Sequence, residues 1–259
     1  MTKASLQASV DEIARNLQGR LGCLICDGTG TVWAAHRADE RFQTASVIKV
    51  PVLLALGAEI DAGRFRWDQP IPIAPGNTAD GSGVVQYLSS LPYTLRDLAT
   101  LAIIISDNRA TNALIDLLGP DRINAYIARA GWRGTVLSRR MMDFDARARG
   151  HDNLSTPRDA ADMFVRLLRG DLGSAETTAV LLGILKAQQL RHALPAWLPP
   201  DTAVAHKTGG LPGVVNDAGI MFLPRGPVVA AVFTNDLAQD AEGRRAIQEI
   251  GRAIAEAAR

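Results

Sequence analysis

The feature that most constrains this 259-residue chain is where its apolar pattern changes period. Strand-like runs occur at 21–26 and 31–36, and then not again until 202–207, 217–223 and 228–234. In between, from 46 to about 195, the spacing is helical, with helices predicted at 47–61, 95–105, 108–118, 121–130, 157–169 and 175–188. A lone hairpin is marginal in water, so the early and late strands need each other as partners. The expected fold is therefore α/β of the α+β kind. A five-stranded antiparallel sheet is flanked by an N-terminal helix bearing Leu6, Val10, Ile13 and Leu17 and a C-terminal helix, 241–257, striped by Ile247, Ile250 and Ile254. The expected domains are a sheet-and-helix unit, 1–45 with 196–259, and an all-helical unit, 46–195, inserted into it. Residue 46 begins the insertion and so falls at the seam, where active sites concentrate.

Composition narrows the function classes. Apolar residues make up 47% and charged residues 21%, as in a soluble globular enzyme. Basic and acidic residues number 28 and 27, so the net charge of +1 leaves no footprint for nucleic acid. Cys23 and Cys26 lie three apart on a predicted strand and face opposite ways, which argues against a disulfide between them. His36, His151, His192 and His206 are scattered, and no second cysteine pair exists, so neither a metal nor an organic cofactor is expected. No apolar leader follows Met1, and no run has the length of a membrane span. As written the chain reads as cytoplasmic; with a leader removed it would be periplasmic or secreted. The expected partner is a small-molecule substrate, and a monomer is the default.

The chemistry begins at Thr44-Ala45-Ser46-Val47-Ile48-Lys49-Val50-Pro51, the head of a long apolar run. Spacing of three on a helix puts Ser46 and Lys49 on one face. In the first turn, Ser46 would sit among unpaired amides that favour a developing oxyanion. A serine needs a base, and a lysine amine serves if burial or nearby positive charge lowers its pKa. Pro51 lacks an N–H, so the helix is expected to begin about Val47 or to kink there. Two further short patterns are ordinary when read alone. Ser106-Asp107-Asn108 has the composition of a helix cap, and His206-Lys207-Thr208-Gly209-Gly210 reads as a strand ending in a glycine turn. Two long loops, 70–83 and 137–156, are of a length that is usually functional.

Taken together and in this order, the S-x-x-K, S-D-N and K-T-G patterns resemble the signature of the class A β-lactamases and penicillin-binding proteins. The resemblance extends through Thr94-Leu95-Arg96-Asp97-Leu98, Arg191-His192-Ala193-Leu194-Pro195, Asn216-Asp217-Ala218-Gly219 and Ala241-Glu242-Gly243-Arg244-Arg245. It implies a β-lactamase/transpeptidase-like fold and a serine hydrolase that opens β-lactams through an acyl-Ser46 intermediate. The implied roles are Lys49 as proton acceptor, Ser106 as relay to the leaving nitrogen, and Lys207 as positive charge beside Ser106 and the substrate carboxylate. Thr208 would bind that carboxylate, Asn108 the substrate's side-chain amide, and the amides of Ser46 and Gly210 the oxyanion. Asp107 would hold its loop. Some relatives carry an arginine where Val215 stands; Arg244, with Arg245 beside it, is the expected replacement, or else a solvated helix residue.

The pattern breaks in one place. Ordinary class A enzymes carry E-x-x-L-N in the long loop, with its glutamate activating the deacylating water. Here the loop runs Leu137-Ser138-Arg139-Arg140-Met141-Met142-Asp143-Phe144-Asp145, and Met141 aligns near the missing glutamate. Asp143 and Asp145 are the nearest carboxylates. Asp145 reads rather as a partner for Arg139, Arg140 or Arg147, and Asp143 is open between that and the water base. The alternatives are a DD-peptidase or esterase-like acyl transferase, or a β-lactam-binding protein that deacylates slowly.

Overall fold

A computed structural model describes residues 3–89 and 92–258. In chain order the elements are α1 (Lys3–Asn16), β1 (Arg20–Asp27), β2 (Val32–His36), β3 (Phe42–Gln43), α2 (Lys49–Asp61), β4 (Pro70–Ile71), β5 (Tyr93–Thr94), α3 (Leu95–Ile104), α4 (Asn108–Leu118) and α5 (Pro120–Ala130). They continue with α6 (Phe144–Ala148), β6 (Leu154–Ser155), α7 (Pro157–Arg169), α8 (Ala175–Lys186), β7 (Val204–Leu211), β8 (Val214–Leu223), β9 (Gly226–Asn235) and α9 (Asp240–Ala257).

The expected sheet is present. Its five strands run in the order β2-β1-β9-β8-β7, each pair antiparallel. The late hairpins join the early one where β9 pairs with β1 along the whole of Arg20–Asp27. Alternation splits the strand side chains between two cores. Ile25, Val204, Val215 and Met221 pack with Leu6, Val10, Ile247, Ile250 and Ile254 of the terminal helices. Leu24, Ala205, Ala218 and Ile220 pack with α2, α3, α4 and α7 on the other face. α7, from within the central stretch, lies across β1, β8 and β9, so one of its own helices ties that stretch to the sheet.

The helix ends follow local chemistry. Thr94 and Asp97 form a reciprocal capping box at α3. Asp107 caps α4, and Thr156 caps α7 with Pro157 in its first turn. Both cysteines are buried and unpaired. Among the described residues, no helix is long and apolar enough to cross a membrane.

Three local expectations are corrected. The apolar run at Ser46 does not start as an α-helix: Ala45–Ile48 form a 3₁₀ turn, and α2 follows from Lys49 with Pro51 in its first turn. The K-T-G stretch does not end a strand, because β7 continues through Gly209 and Gly210 to Leu211. Pairing with β8 is available all along this edge, and it outweighs the turn preference of the glycines. The two long loops carry short elements, β4 in the first and α6 and β6 in the second.

Candidate active site

Ser46 sits at a backbone kink. Ala45 before it holds φ +46°, a left-handed conformation that costs a non-glycine residue about 1 kcal/mol or more. The neighbouring wall is the free edge of β7. At Gly209 an added Cβ would stand 2.6 Å from the Thr44 carbonyl oxygen and 3.1 Å from the Ser46 nitrogen. Glycine is therefore what lets the edge strand close on the Ser46 turn.

One turn after Ser46, Lys49 is buried at the start of α2. Its Nζ donates to the Ser106 carbonyl at 2.7 Å, to Ser106 Oγ at 3.1 Å and to Asn108 Oδ1 at 2.9 Å. Ser106 holds φ +58° between α3 and α4, the backbone turn that presents both its carbonyl and its hydroxyl to Lys49. Burial, and then the charge of Lys207, hold the Lys49 amine well below the usual lysine range. Lys207 itself is wholly buried on β7 and brought down to about 7 by burial, against the opposing pull of Asp217. Two buried amines, both held below the usual lysine range, are suited to moving a proton and meeting an anion.

Asp107 is structural, as its cap-like sequence suggested. Its Oδ1 accepts from the Ala110 amide and its Oδ2 from the amides of Val84 and Val85. This draws the 80–85 segment against the cleft, with the Asn108 amide donating to the Ser82 carbonyl at 3.0 Å. Asn108 is committed on both sides: its Oδ1 accepts from Lys49, and its Nδ2 donates to the Asp80 carbonyl, leaving a second amide hydrogen over.

Two lobes of cavity meet at Ser46. One, of about 390 Å³, is lined by Ser106, Thr208, Gly210, His192 and Arg244 among others. The other, of about 240 Å³, lies under the 137–156 loop and is lined by Asn108, Arg139, Met141, Met142, Phe144 and Leu211 among others. All eight sequence-derived residues thus converge except that Lys49 and Lys207 lie behind the walls, not on them. Arg244 reaches the rim of the first lobe, whereas Arg245 turns away to pair with Glu249 at 2.9 Å. Sequence reasoning missed Ser82, which borders both lobes, and His192. The glycine-flanked Gly81-Ser82-Gly83 in a long loop was the available signal for the first; the second lay in the Arg191-His192-Ala193-Leu194-Pro195 stretch, which carried the resemblance but was assigned no role.

The loop is clasped by asparagines. Asn124 brackets Leu137, and Asn112 brackets Met141 through both its N–H and its carbonyl. Asn153 takes the amides of Ser138 and Arg139, and Arg139 pairs with Asp152 at 2.7 Å, both groups nearly buried. Neither candidate water base reaches the Ser46 cavity. Asp143 turns inward to cap α6, accepting from the Ala146 amide at 2.9 Å. Asp145 lies in the first turn of α6, on its exposed side, and has no ion pair with Arg139, Arg140 or Arg147: Arg140 pairs with Asp116, and Arg139 and Arg147 with Asp152. Met141 occupies the wall instead.

A sheet of this order with a serine, two buried lysines and a second serine at its edge defines the class of penicillin-recognising serine enzymes. The model of the β-lactamase enzyme family matches residues 5–258. A β-lactamase of Rhodobacter capsulatus is 30% identical over 96% of this chain and 87% of its own length. The structure of a β-lactamase from Sphaerobacter thermophilus superposes with a TM-score of 0.89 at 35% identity, covering 100% of this chain and 98% of that one. PBP-A superposes with a TM-score of 0.90 at 29% identity, over 98% and 95% of the two chains. A leucine-to-glutamate mutant of PBP-A has been solved as its acyl-enzyme with penicillin G. The chain belongs to the β-lactamase enzyme family and has the class A fold, the scaffold of β-lactam hydrolases.

Proposed function

We propose that the protein opens β-lactams by acylating Ser46 and that release of the acyl group is its slow step. Lys49, once neutral and so left with two of its three donated bonds, takes the Ser46 proton as Oγ attacks the lactam carbonyl, and the amides of Ser46 and Gly210 hold the oxyanion. The C–N bond then breaks, and Ser106 passes a proton to the leaving nitrogen. Protonated Lys207 and the Thr208 hydroxyl bind the substrate carboxylate, with Arg244 at the rim adding positive charge. The free amide hydrogen of Asn108 serves the acyl side chain. Hydrolysis of the ester then requires an activated water. The observation that carries the reading is the contrast between a complete acylating group and a loop-side cavity whose lining includes Met141, Met142 and Phe144 and no carboxylate.

The test is intact-protein mass spectrometry during reaction with benzylpenicillin, with absorbance followed in parallel. A stoichiometric burst, an adduct that persists through the slow turnover that follows, and no adduct in Ser46→Ala are expected. Rapid steady turnover without an accumulating adduct would overturn slow release, and labelling retained in Ser46→Ala would overturn the nucleophile.

A further inference from the structure

Directly behind Lys207, on the far face of the sheet, lies a buried ionisable pair that the reaction scheme does not use. Strand alternation sorts the residues. Ala205 of β7 and Ala218 of β8 pack with the helical side, so Lys207 between them in register faces Ser46's side. Val204, Val215 and Met221 pack with the terminal helices, so His206 and Asp217 fall on that opposite face. There His206 Nδ1 lies 2.9 Å from Asp217 Oδ1, and both side chains are wholly buried. The second carboxylate oxygen accepts from the Leu194 amide at 3.0 Å. Gly219 stands opposite His206, and any side chain there would collide with the histidine's own Cβ. His206 Nε2 is buried with no partner, so the ring's polar contact is with Asp217 through Nδ1, which donates to the carboxylate. The carboxylate is thus held by two partners, the His206 ring and the Leu194 amide.

The surroundings give that charge a purpose. The groups about Lys207 are mostly basic: Lys49 from α2, His206 on its own strand, and His192 and Arg244 at the rim of the cleft. Asp107, at the head of α4, is a carboxylate that acts on Lys49. Asp217 stands opposite Thr208 in the β7–β8 register, one step along from the Lys207–Ala218 pair, and is the carboxylate that opposes the desolvation of the Lys207 amine. A buried lysine with no counter-charge sheds its proton, and an uncharged Lys207 would no longer attract a substrate carboxylate.

We infer that Asp217, held by His206 and the Leu194 amide, is a positioning residue for the reaction: the carboxylate behind the sheet that serves as counter-charge to Lys207 when that amine meets a substrate anion. The inference rests on the assignment of Lys207 to the substrate carboxylate made above.

The chain has four lysines, Lys3, Lys49, Lys186 and Lys207, so ¹³Cε-lysine NMR resolves the titration of Lys207 directly, with Lys207→Arg to assign it. In Asp217→Asn the Lys207 midpoint moves down by about one pH unit or more. The alkaline fall in the acylation rate of benzylpenicillin moves down with it, while acylation by an uncharged aryl ester keeps its pH profile. His206→Phe, which removes one donor to the carboxylate, moves the midpoint the same way by less, and keeps the test open should Asp217→Asn fail to fold. An unmoved Lys207 midpoint in whichever variant folds, with only a lower Tm, would overturn the inference and make the pair purely structural. Loss of the Lys207 role itself would show separately, as equal benzylpenicillin acylation in Lys207→Arg and wild type at every pH.

Discussion

The two walls of the Ser46 cleft differ in kind. On the α2–α4 side, buried polar groups are closely matched: Lys49 Nζ bonds three oxygens, Asp107 accepts from three amides, and Asn108 bonds in two directions with one amide hydrogen left over. On the loop side, side-chain polarity is spent on the loop itself. Asn112, Asn124, Asn153 and Asp143 all bond loop backbone, and what faces the cavity is largely Met141, Met142 and Phe144. A satisfied polar network is rigid and preorganised, whereas an apolar wall contacts a substrate without activating water. On the proposed reading, the difference separates acylation, carried by the first wall, from deacylation, for which the second wall offers no carboxylate.

The largest expected effect breaks the first wall. Lys49→Met removes the base while keeping the volume, and the acylation rate of Ser46 in a stopped-flow burst falls by about 10²–10⁴. A fall below tenfold would transfer the base to another group. Next, Met141→Glu places a carboxylate on the second wall. Decay of the penicilloyl adduct, timed by mass spectrometry, accelerates by roughly 10–100-fold, at the low end of a general base because the loop was not built around it. An unchanged decay would mean that the wall is not what limits release.

The pH dependence sharpens the same contrast. Burial brings Lys207 down to about 7, and in the proposed mechanism its charged form binds the substrate carboxylate, so that binding weakens as pH rises through that value. Second-order acylation by benzylpenicillin should fall approximately tenfold per unit above it, while an uncharged ester should not follow. The smallest effect is Asp143→Ala. Loss of the α6 cap lowers stability by about 0.5–2 kcal/mol in urea titration, and the adduct decay rate stays within about twofold of wild type. A large drop in decay would restore Asp143 as the water base.

Much of this protein was legible in its residues. The switch of period at 46 and again near 200 fixed the sheet, its strand count and the terminal helices, because alternation and helical stripes are local and survive without coordinates. The three short motifs marked Ser46, Lys49, Ser106, Asn108, Lys207 and Thr208 through their resemblance, taken in order, to the class A signature; each was ordinary when read alone. What lay beyond reading were choices among partners. Asp143 could pair with an arginine, activate a water or cap a helix, and only the folded loop makes it a cap. Gly209 and Gly210 look like a turn, and only the presence of β8 alongside turns them into an edge strand.

Sequence by itself therefore determined the architecture, the order of the chemistry and the absence of the usual loop glutamate. The tertiary structure decided where each charge is spent. It seats Lys49 on Ser106 across 57 residues, brings His192 to the rim beside Arg244, and sets Asp217 behind Lys207 on the opposite face of the sheet. The physical reason is that periodicity is written in bonds a few residues long. Proton affinity and hydrogen-bond partnership depend on what packing brings from elsewhere in the chain.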